Sequence, residues 1–209
     1  MTDFIEQLEY VQPHLRNHHS YVLPIVWRLC ADLQPGSRVL DIGCGNGAVV
    51  NEFIRRGHTA VGVDLSESGI NLARASFPKG RFEIQAADNG LFERLEELPF
   101  DVVFTCEVIE HLYDTKSFMQ GCYSATKPGG RLICSTPYHG YLKNLTLSVT
   151  NSWDRHADPM AGGGHIKFFS RKTLGKLMTE TGYREIEFAG AGRLPYLWMS
   201  MVMTGIRPT

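Results

Sequence analysis

The stretch Val39-Leu-Asp-Ile-Gly-Cys-Gly-Asn-Gly47 sets three glycines two residues apart behind an acid. Gly43, Gly45 and Gly47 allow tight backbone turns and close approach of a ligand to the main chain, with Cys44 and Asn46 between them. The spacing is Gly-x-Gly-x-Gly; the dinucleotide fingerprint would need its third glycine at Ala48. Asp41 would repel a pyrophosphate and suits a cationic ligand, whose ammonium group can be held through water or the loop backbone. Asp64 and its neighbour Leu65 stand 64 − 41 = 23 residues further on, where a carboxylate can accept both hydroxyls of a ribose. Asp88 follows the next apolar run and could take a proton from an adenine amino group. Asn89 beside it could instead cap the following helix. Each acid alone reads as a cap or a solvated loop acid. The three at successive strand ends, behind one glycine loop, point together to an adenosyl ligand.

A second constellation is Cys106-Glu-Val-Ile-Glu-His-Leu112. On a helix, Glu107, Glu110 and His111 fall at i, i+3 and i+4 and share one face. Two carboxylates and an imidazole make half of a divalent-metal site. Carboxylates favour Mg²⁺ or Mn²⁺, and the imidazole admits Mn²⁺, Fe²⁺ or Zn²⁺. His165, in Gly163-Gly-His-Ile-Lys-Phe-Phe-Ser170, is the candidate fourth ligand. The plainer reading needs no metal: Glu107 holds a ligand, Glu110 caps a helix or pairs with a lysine, and His111 packs on the sheet. A metal-free reaction at a hydroxyl needs a general base, for which His111, His139 and His165 are the candidates. His156 reads as an exposed loop histidine, and at least one of His18 and His19 as part of a solvated face. Cys106 reads as a small buried thiol rather than a nucleophile.

These residues need a sheet whose strands all deliver their ends to one edge. Short β-branched runs at 38–42, 58–64, 81–86, 101–106 and 131–136 alternate with helical segments at 47–56, 66–76, 90–97 and 115–126. That alternation predicts parallel pairing with right-handed crossovers, a doubly wound α/β sheet. Ser170 caps a helix that Gly182 stops, and two late runs at 183–189 and 199–206 form a hairpin on the otherwise parallel sheet. Tyr196–Met199 reads as a strand or turn in the core. We read a single domain over 1–209, with a helical cover at 1–35, a ligand-binding core at 37–136, a lid at 137–169 and the C-terminal helix and hairpin at 170–209. The lid carries Tyr141, Leu142, Leu145, Leu147, Val149 and Trp153, which predict an apolar face lining an acceptor pocket or packed on the domain as a cover. Lys143, the one lysine of its apolar stretch 141–153, gives at most peripheral membrane contact.

Composition narrows the classes. A formal net charge of −1 supplies no field for tracking phosphates and argues against a nucleic-acid partner, leaving a small-molecule acceptor. No apolar run approaches the roughly 18 residues of a transmembrane helix. Met1–Glu6 is acidic, unlike a secretory signal. Five cysteines form no Cys-x-x-Cys, which suits a reducing, cytoplasmic setting. Nothing in the sequence specifies an oligomeric state.

Val39–Gly47, Gly62-Val-Asp-Leu-Ser66, Ala86-Ala-Asp88, Phe100-Asp-Val-Val-Phe104 and Lys127-Pro-Gly-Gly-Arg131 together resemble the class I S-adenosylmethionine-dependent methyltransferases over roughly residues 37–190. The resemblance implies a Rossmann-like seven-stranded sheet of order 3-2-1-4-5-7-6 with strand 7 antiparallel, in a three-layer α/β/α arrangement. It implies S-adenosylmethionine as cofactor, held by Asp41, Gly43, Cys44, Gly45, Asn46, Gly47, Asp64, Leu65, Asp88 and Asn89, with Cys106 at the methionine end. Glu107–Leu112 is similar to the ubiquinone-biosynthesis O-methyltransferases. Glu-x-x-Glu-His with a late His-x-Lys-Phe also looks like the metal site of the small-RNA 3′-terminal 2′-O-methyltransferases. Either resemblance implies a Mg²⁺ or Mn²⁺ ion on Glu107, Glu110, His111 and His165 that binds two vicinal oxygens. The expected reaction is O-methylation of a phenol, catechol or quinol-type acceptor. The rivals are a sugar or other small metabolite, the terminal ribose of an RNA, and a protein that binds the cofactor without catalysis.

Overall fold

A computed structural model describes residues 10–157, 160 and 164–209. The acidic start Met1–Glu6 and Gly163 lie outside the described residues, as do positions 158, 159, 161 and 162 of the predicted lid and the first nine residues of the predicted cover. The strands are β1 (Arg38–Ile42), β2 (Thr59–Asp64), β3 (Arg81–Ile84), β4 (Phe100–Cys106), β5 (Thr126–Pro137), β6 (Arg184–Ala191) and β7 (Ser200–Ile206). They form one sheet in the order β3-β2-β1-β4-β5-β7-β6. The first five pair in parallel, and β7 runs antiparallel to both β5 and β6. The fold is therefore the Rossmann-like sheet that the sequence predicts.

Helices cover both faces, which is why the inner strands are apolar almost without alternation. On one face α1 (His19–Leu29), α2 (Ala48–Arg55) and α3 (Glu67–Ser76) bury Val26, Phe53 and Ile70 against Val39, Phe82 and Phe104. On the other, α4 (Leu91–Leu95), α5 (Thr115–Ala125) and α8 (Arg171–Thr181) bury Leu95, Phe118 and Met178 against Leu40, Val103 and Leu132. Strand order reverses between β1 and β4, and in open α/β sheets a ligand crevice lies outside the strand carboxyl ends at such a switch point. Local signals set the helix ends. Ser66 accepts from Gly69 N at the start of α3, Asp114 from Ser117 N at the start of α5, and Ser170 and Thr173 form a reciprocal capping box on α8. Among the described residues no helix is long and apolar enough to cross a membrane.

Two expectations fail and a third holds in part. Glu107, Glu110 and His111 do not share a helix face: Glu107 sits at φ +55°, and only a single 3₁₀ turn, Ile109–His111, follows. A left-handed residue cannot belong to a right-handed helix, so Glu107 points its side chain elsewhere. The lid segment forms α6 (Tyr141–Val149) and α7 (Trp153–Ala157), but α6 is turned opposite to its apolar pattern. Tyr141 and Val149 are 84% and 77% exposed, Leu142 and Leu145 are exposed too, and the residue that α6 buries is Lys143. Tyr196–Met199 is a turn with Tyr196 outside, while Trp198 packs edge-on against Tyr138 and Phe188.

Candidate functional site

The glycine loop is pinned to β2 through main-chain bonds, Gly43 N and Cys44 N donating to Val63 O at 2.8 and 3.0 Å. Gly43, Gly45 and Gly47 adopt φ of +82°, +51° and +74°, which explains glycine at all three. Asp64 accepts from Gly45 N and from Ser66 N, both at 2.8 Å, so the ribose-binding candidate also holds the loop. Asp41 is 2% exposed and, among the described residues, has no hydrogen-bond or ion-pair partner. Burial, with Asp64 adding to it, pushes its carboxyl up to about 8. A buried acid beside a second acid is at an electrostatic cost that a neighbouring cation would relieve, and the described residues supply none. Leu65 is 39% exposed beside it, an apolar surface at the end of β2. Asp88 Oδ1 accepts from Gly90 N and pairs with Arg94, which leaves its second oxygen for a ligand. Asn89 is exposed and donates its main-chain N–H to Ser117 Oγ; the cap position of α4 falls to Gly90, so Asn89 does not cap. Cys44 is buried, and its Sγ lies where a Cβ at Gly62 would come within 2.8 Å.

A strap not foreseen crosses this loop. Asn46 Nδ2 donates to Gln12 O and His14 O at 2.8 and 2.9 Å, and the Tyr10 ring lies where a Cβ on Gly45 would meet its hydroxyl at 2.6 Å. Arg16 lies 4.6 Å over that ring, and its charge pulls the Asp64 carboxyl down against burial. These contacts span some thirty residues of sequence, and no local pattern announces them.

At the end of β4, Ser135 Oγ donates to Glu107 Oε1 at 2.9 Å and approaches Cys106 Sγ at 3.2 Å. Burial raises Glu107 to about 7, opposed by the Ser135 and Ser200 hydroxyls and by Lys143. Burial and the neighbouring carboxylates push the Cys106 thiol well up, so it is the inert buried thiol expected. Glu110 is fully buried. Thr136 Oγ1 donates to its Oε2 at 3.0 Å, while Oε1 has no hydrogen-bond partner among the described residues and faces His111 Nε2 at 3.9 Å. Ile166 N and Lys167 N both donate to Glu110 O at 3.0 Å, which draws His165 to the same place. Glu110, His111 and His165 can present ligand atoms within 4.8 Å of one another, and Glu107 is not in that group. His165 Nδ1 is likewise buried without a partner.

His139 is buried at the end of β5, its Nδ1 3.2 Å from Asn144 Oδ1 and its Nε2 unpartnered. Its ring lies 5.2 Å from that of His156, which is half-buried rather than exposed. Burial lowers His139 and His165 to about 4. His18 and His19 are also half-buried, not solvated, and form a cluster with Cys106. His19 Nδ1 accepts from Arg16 N at 2.9 Å. Lys143, which the sequence reading used only as a surface charge, is 7% exposed at the same sheet end.

The methyltransferase-domain family matches residues 14–187, which takes in every strand of the sheet except the end of β6 and all of β7. The chain belongs to this methyltransferase family. A curated relative in Maricaulis maris, a ubiquinone biosynthesis O-methyltransferase, is 40% identical over 104 residues, 48% of this chain and 41% of that one. One of the same description in Ruegeria pomeroyi is 31% identical over 172 residues, 78% of this chain and 66% of that one. The chain thus spans about two-fifths to two-thirds of the length of these relatives. Among solved structures, magnesium protoporphyrin IX methyltransferase from Synechocystis, with S-adenosylhomocysteine bound, superposes with a TM-score of 0.69. It is 16% identical, covers 99% of this chain and 94% of that one, and establishes the shared fold. As a methyltransferase of this family, the chain has S-adenosylmethionine as its cofactor, and the unpartnered Asp41 fits that ligand's positive charge.

Proposed function

We propose that this methyltransferase transfers the methyl group to a hydroxyl of a small phenolic acceptor of the catechol or quinol type. The observation that carries the reading is the Glu110–His111–His165 cluster, gathered at the same end of the sheet as the glycine loop and its unpartnered acid. Curated relatives named as O-methyltransferases support the choice of oxygen. In this reading Gly43, Cys44, Gly45, Asn46 and Gly47 shape the cofactor cradle, Asp41 faces its ammonium group, and Asp64 takes the ribose hydroxyls. Leu65, Asp88 and Asn89 border the adenine, and Cys106 borders the methionine end. Bound S-adenosylmethionine supplies an electrophilic methyl group on a sulfonium. The protein's part is to hold the acceptor oxygen in line with it and to exclude water.

The donor set also fits a divalent ion. Glu110 Oε1 and His165 Nδ1 are buried polar atoms without a hydrogen-bond partner among the described residues, Oε1 having only His111 Nε2 at 3.9 Å, which is the state a ligand atom shows before its ion is counted. Glu110, His111 and His165 would hold it, with Glu107 left to the Ser135 side. One carboxylate with two imidazoles favours Mn²⁺, Fe²⁺ or Zn²⁺ over Mg²⁺. Such an ion would act as a Lewis acid on an acceptor hydroxyl. The five cysteines are all buried and free, which suits the reducing cytoplasm.

Isothermal titration with S-adenosylmethionine tests the cofactor site. The wild type should bind and Asp64→Ala should not; a wild type without binding overturns the reading. A methyl-transfer screen across catechols, quinols, sugars and short RNAs tests the acceptor, and turnover confined to sugars or RNA replaces it. Thermal shift with Mn²⁺ tests the ion: Glu110→Gln and His165→Ala should each lose the shift, and full transfer in EDTA removes the metal from the reaction.

A further inference from the structure

The apolar side chains of α6 face outward, and the helix turns a lysine in. Lys143 is the only lysine or arginine among the described residues in the buried class. Its Nζ donates to Met199 O at 3.1 Å, and its other two N–H directions have no acceptor among the described residues. It forms no ion pair among the described residues. An ammonium ion held out of water without a counter-ion costs several kcal/mol, which favours the neutral amine. The groups facing it are Arg193, Glu107 and the histidines His139, His156 and His165. Burial first and Arg193 second lower Lys143 to about 8, with Glu107 pulling the other way.

The proposed reaction needs a group that removes a hydroxyl proton. His139 has its Nδ1 against Asn144 Oδ1 at 3.2 Å and, at about 4, lies some six units below a phenol of pKa near 10, while His165 stands in the cluster with Glu110 and His111. We propose that Lys143 is the general base of the methyl transfer, its neutral Nζ taking the proton from the acceptor hydroxyl. This rests on the O-methylation reading above. The acceptor O–H breaks and its proton goes to Nζ, giving an ammonium group. The electron pair left on oxygen forms the new O–C bond to the methyl carbon. The C–S bond breaks with its pair kept by sulfur, leaving a neutral thioether, and Lys143 afterwards returns the proton to solvent. The ammonium formed is opposed by the charge of Arg193 and favoured by that of Glu107.

The test uses the full chain with S-adenosylmethionine, catechol and the more acidic 4-nitrocatechol, between pH 6 and 10, for wild type, Lys143→Met and Lys143→Arg. Wild-type kcat should rise with pH and level off above about 8. Both variants should lose about 10²-fold or more in kcat at pH 7 and lose that break. The loss should be smaller for 4-nitrocatechol, whose proton needs less help, and KM for S-adenosylmethionine should hold. Arginine is the decisive variant: it keeps the charge and the reach but cannot accept a proton at these pH values. A readout free of turnover is the 4-nitrocatecholate absorbance with S-adenosylhomocysteine present, at a pH where the free probe is mostly protonated. Wild type should raise the anion band and Lys143→Met should not. Lys143→Arg within threefold of wild type, or equal losses on both acceptors with the break retained, overturns the assignment while leaving O-methylation intact. A wild type that turns over no phenol overturns the O-methylation reading itself, and the base with it.

Discussion

Asp41→Asn tests the electrostatics of the cradle most directly. Asn keeps the side-chain shape and removes the ionisable group. In the folded, ligand-free protein burial and Asp64 raise Asp41 from the ordinary 3.8 to about 8, so the folded state binds a proton that the unfolded state has released. A carboxyl raised in this way lets stability fall as pH rises from about 3.8 to about 8, by about 1.4 kcal/mol per unit. Four units give roughly 5 kcal/mol of destabilisation at pH 9, a large part of an ordinary domain's 5–15 kcal/mol. Asp41→Asn should therefore melt roughly 10–20 °C above wild type at pH 9. The gap should shrink to about 1–2 kcal/mol at pH 5, where folded wild type is protonated. Circular-dichroism melts and urea titrations at pH 5, 7 and 9 read this out. The same variant should lose S-adenosylmethionine binding. In wild type at pH 7, binding the cationic ligand should expel about 0.9 proton, measured by titration calorimetry in two buffers of different ionisation enthalpy. Parallel pH profiles for the two proteins, with no proton released on binding, would refute the reasoning.

Other expected outcomes follow from single contacts. Gly47→Ala places a Cβ 2.7 Å from Ala73 Cβ and from the Phe82 ring at φ +74°, and should cost about 2–4 kcal/mol in a urea titration. Thr136→Val removes the one hydroxyl on the buried Glu110 carboxyl and should cost about 1–3 kcal/mol without added metal. Glu110→Gln should cost less than Thr136→Val, because a neutral amide keeps the bond to Thr136. Buried thiols pushed upward in pKa should leave Cys106 and Cys134 unlabelled by iodoacetamide at pH 8 until the protein is unfolded, as mass spectrometry would show.

Local chemistry made the sheet and the cofactor cradle legible. Strand runs such as Val102–Phe104 and Leu132–Cys134 are apolar without alternation because both sheet faces are covered, and that pattern can be read in one dimension. The three glycines were legible because three left-handed backbones need them. The acceptor end was less so. The helix read over Glu107–His111 fails at one backbone angle, that of Glu107, which no periodicity shows. On α6 the apolar pattern was real but its direction was not given by it. A helix can turn its stripe outward when a buried polar group of the core, here Met199 O, satisfies the lysine on the other side. Tyr10 and Asn46 meet across the glycine loop through contacts remote in sequence, and tertiary packing alone decides them.

The strap over the glycine loop bears on the tempo of the cycle. The stretch between Tyr10 and Arg16 is fastened by two bonds from one asparagine and by a tyrosine ring seated on Gly45, and a donor held in the loop as proposed would have to pass it. Such a fastening slows arrival and departure alike. If the strap must open for each exchange of donor for spent donor, its opening would set the clock of turnover. Loosening the strap at Asn46 would quicken that clock and weaken the grip together, whatever acceptor stands at the far end of the site.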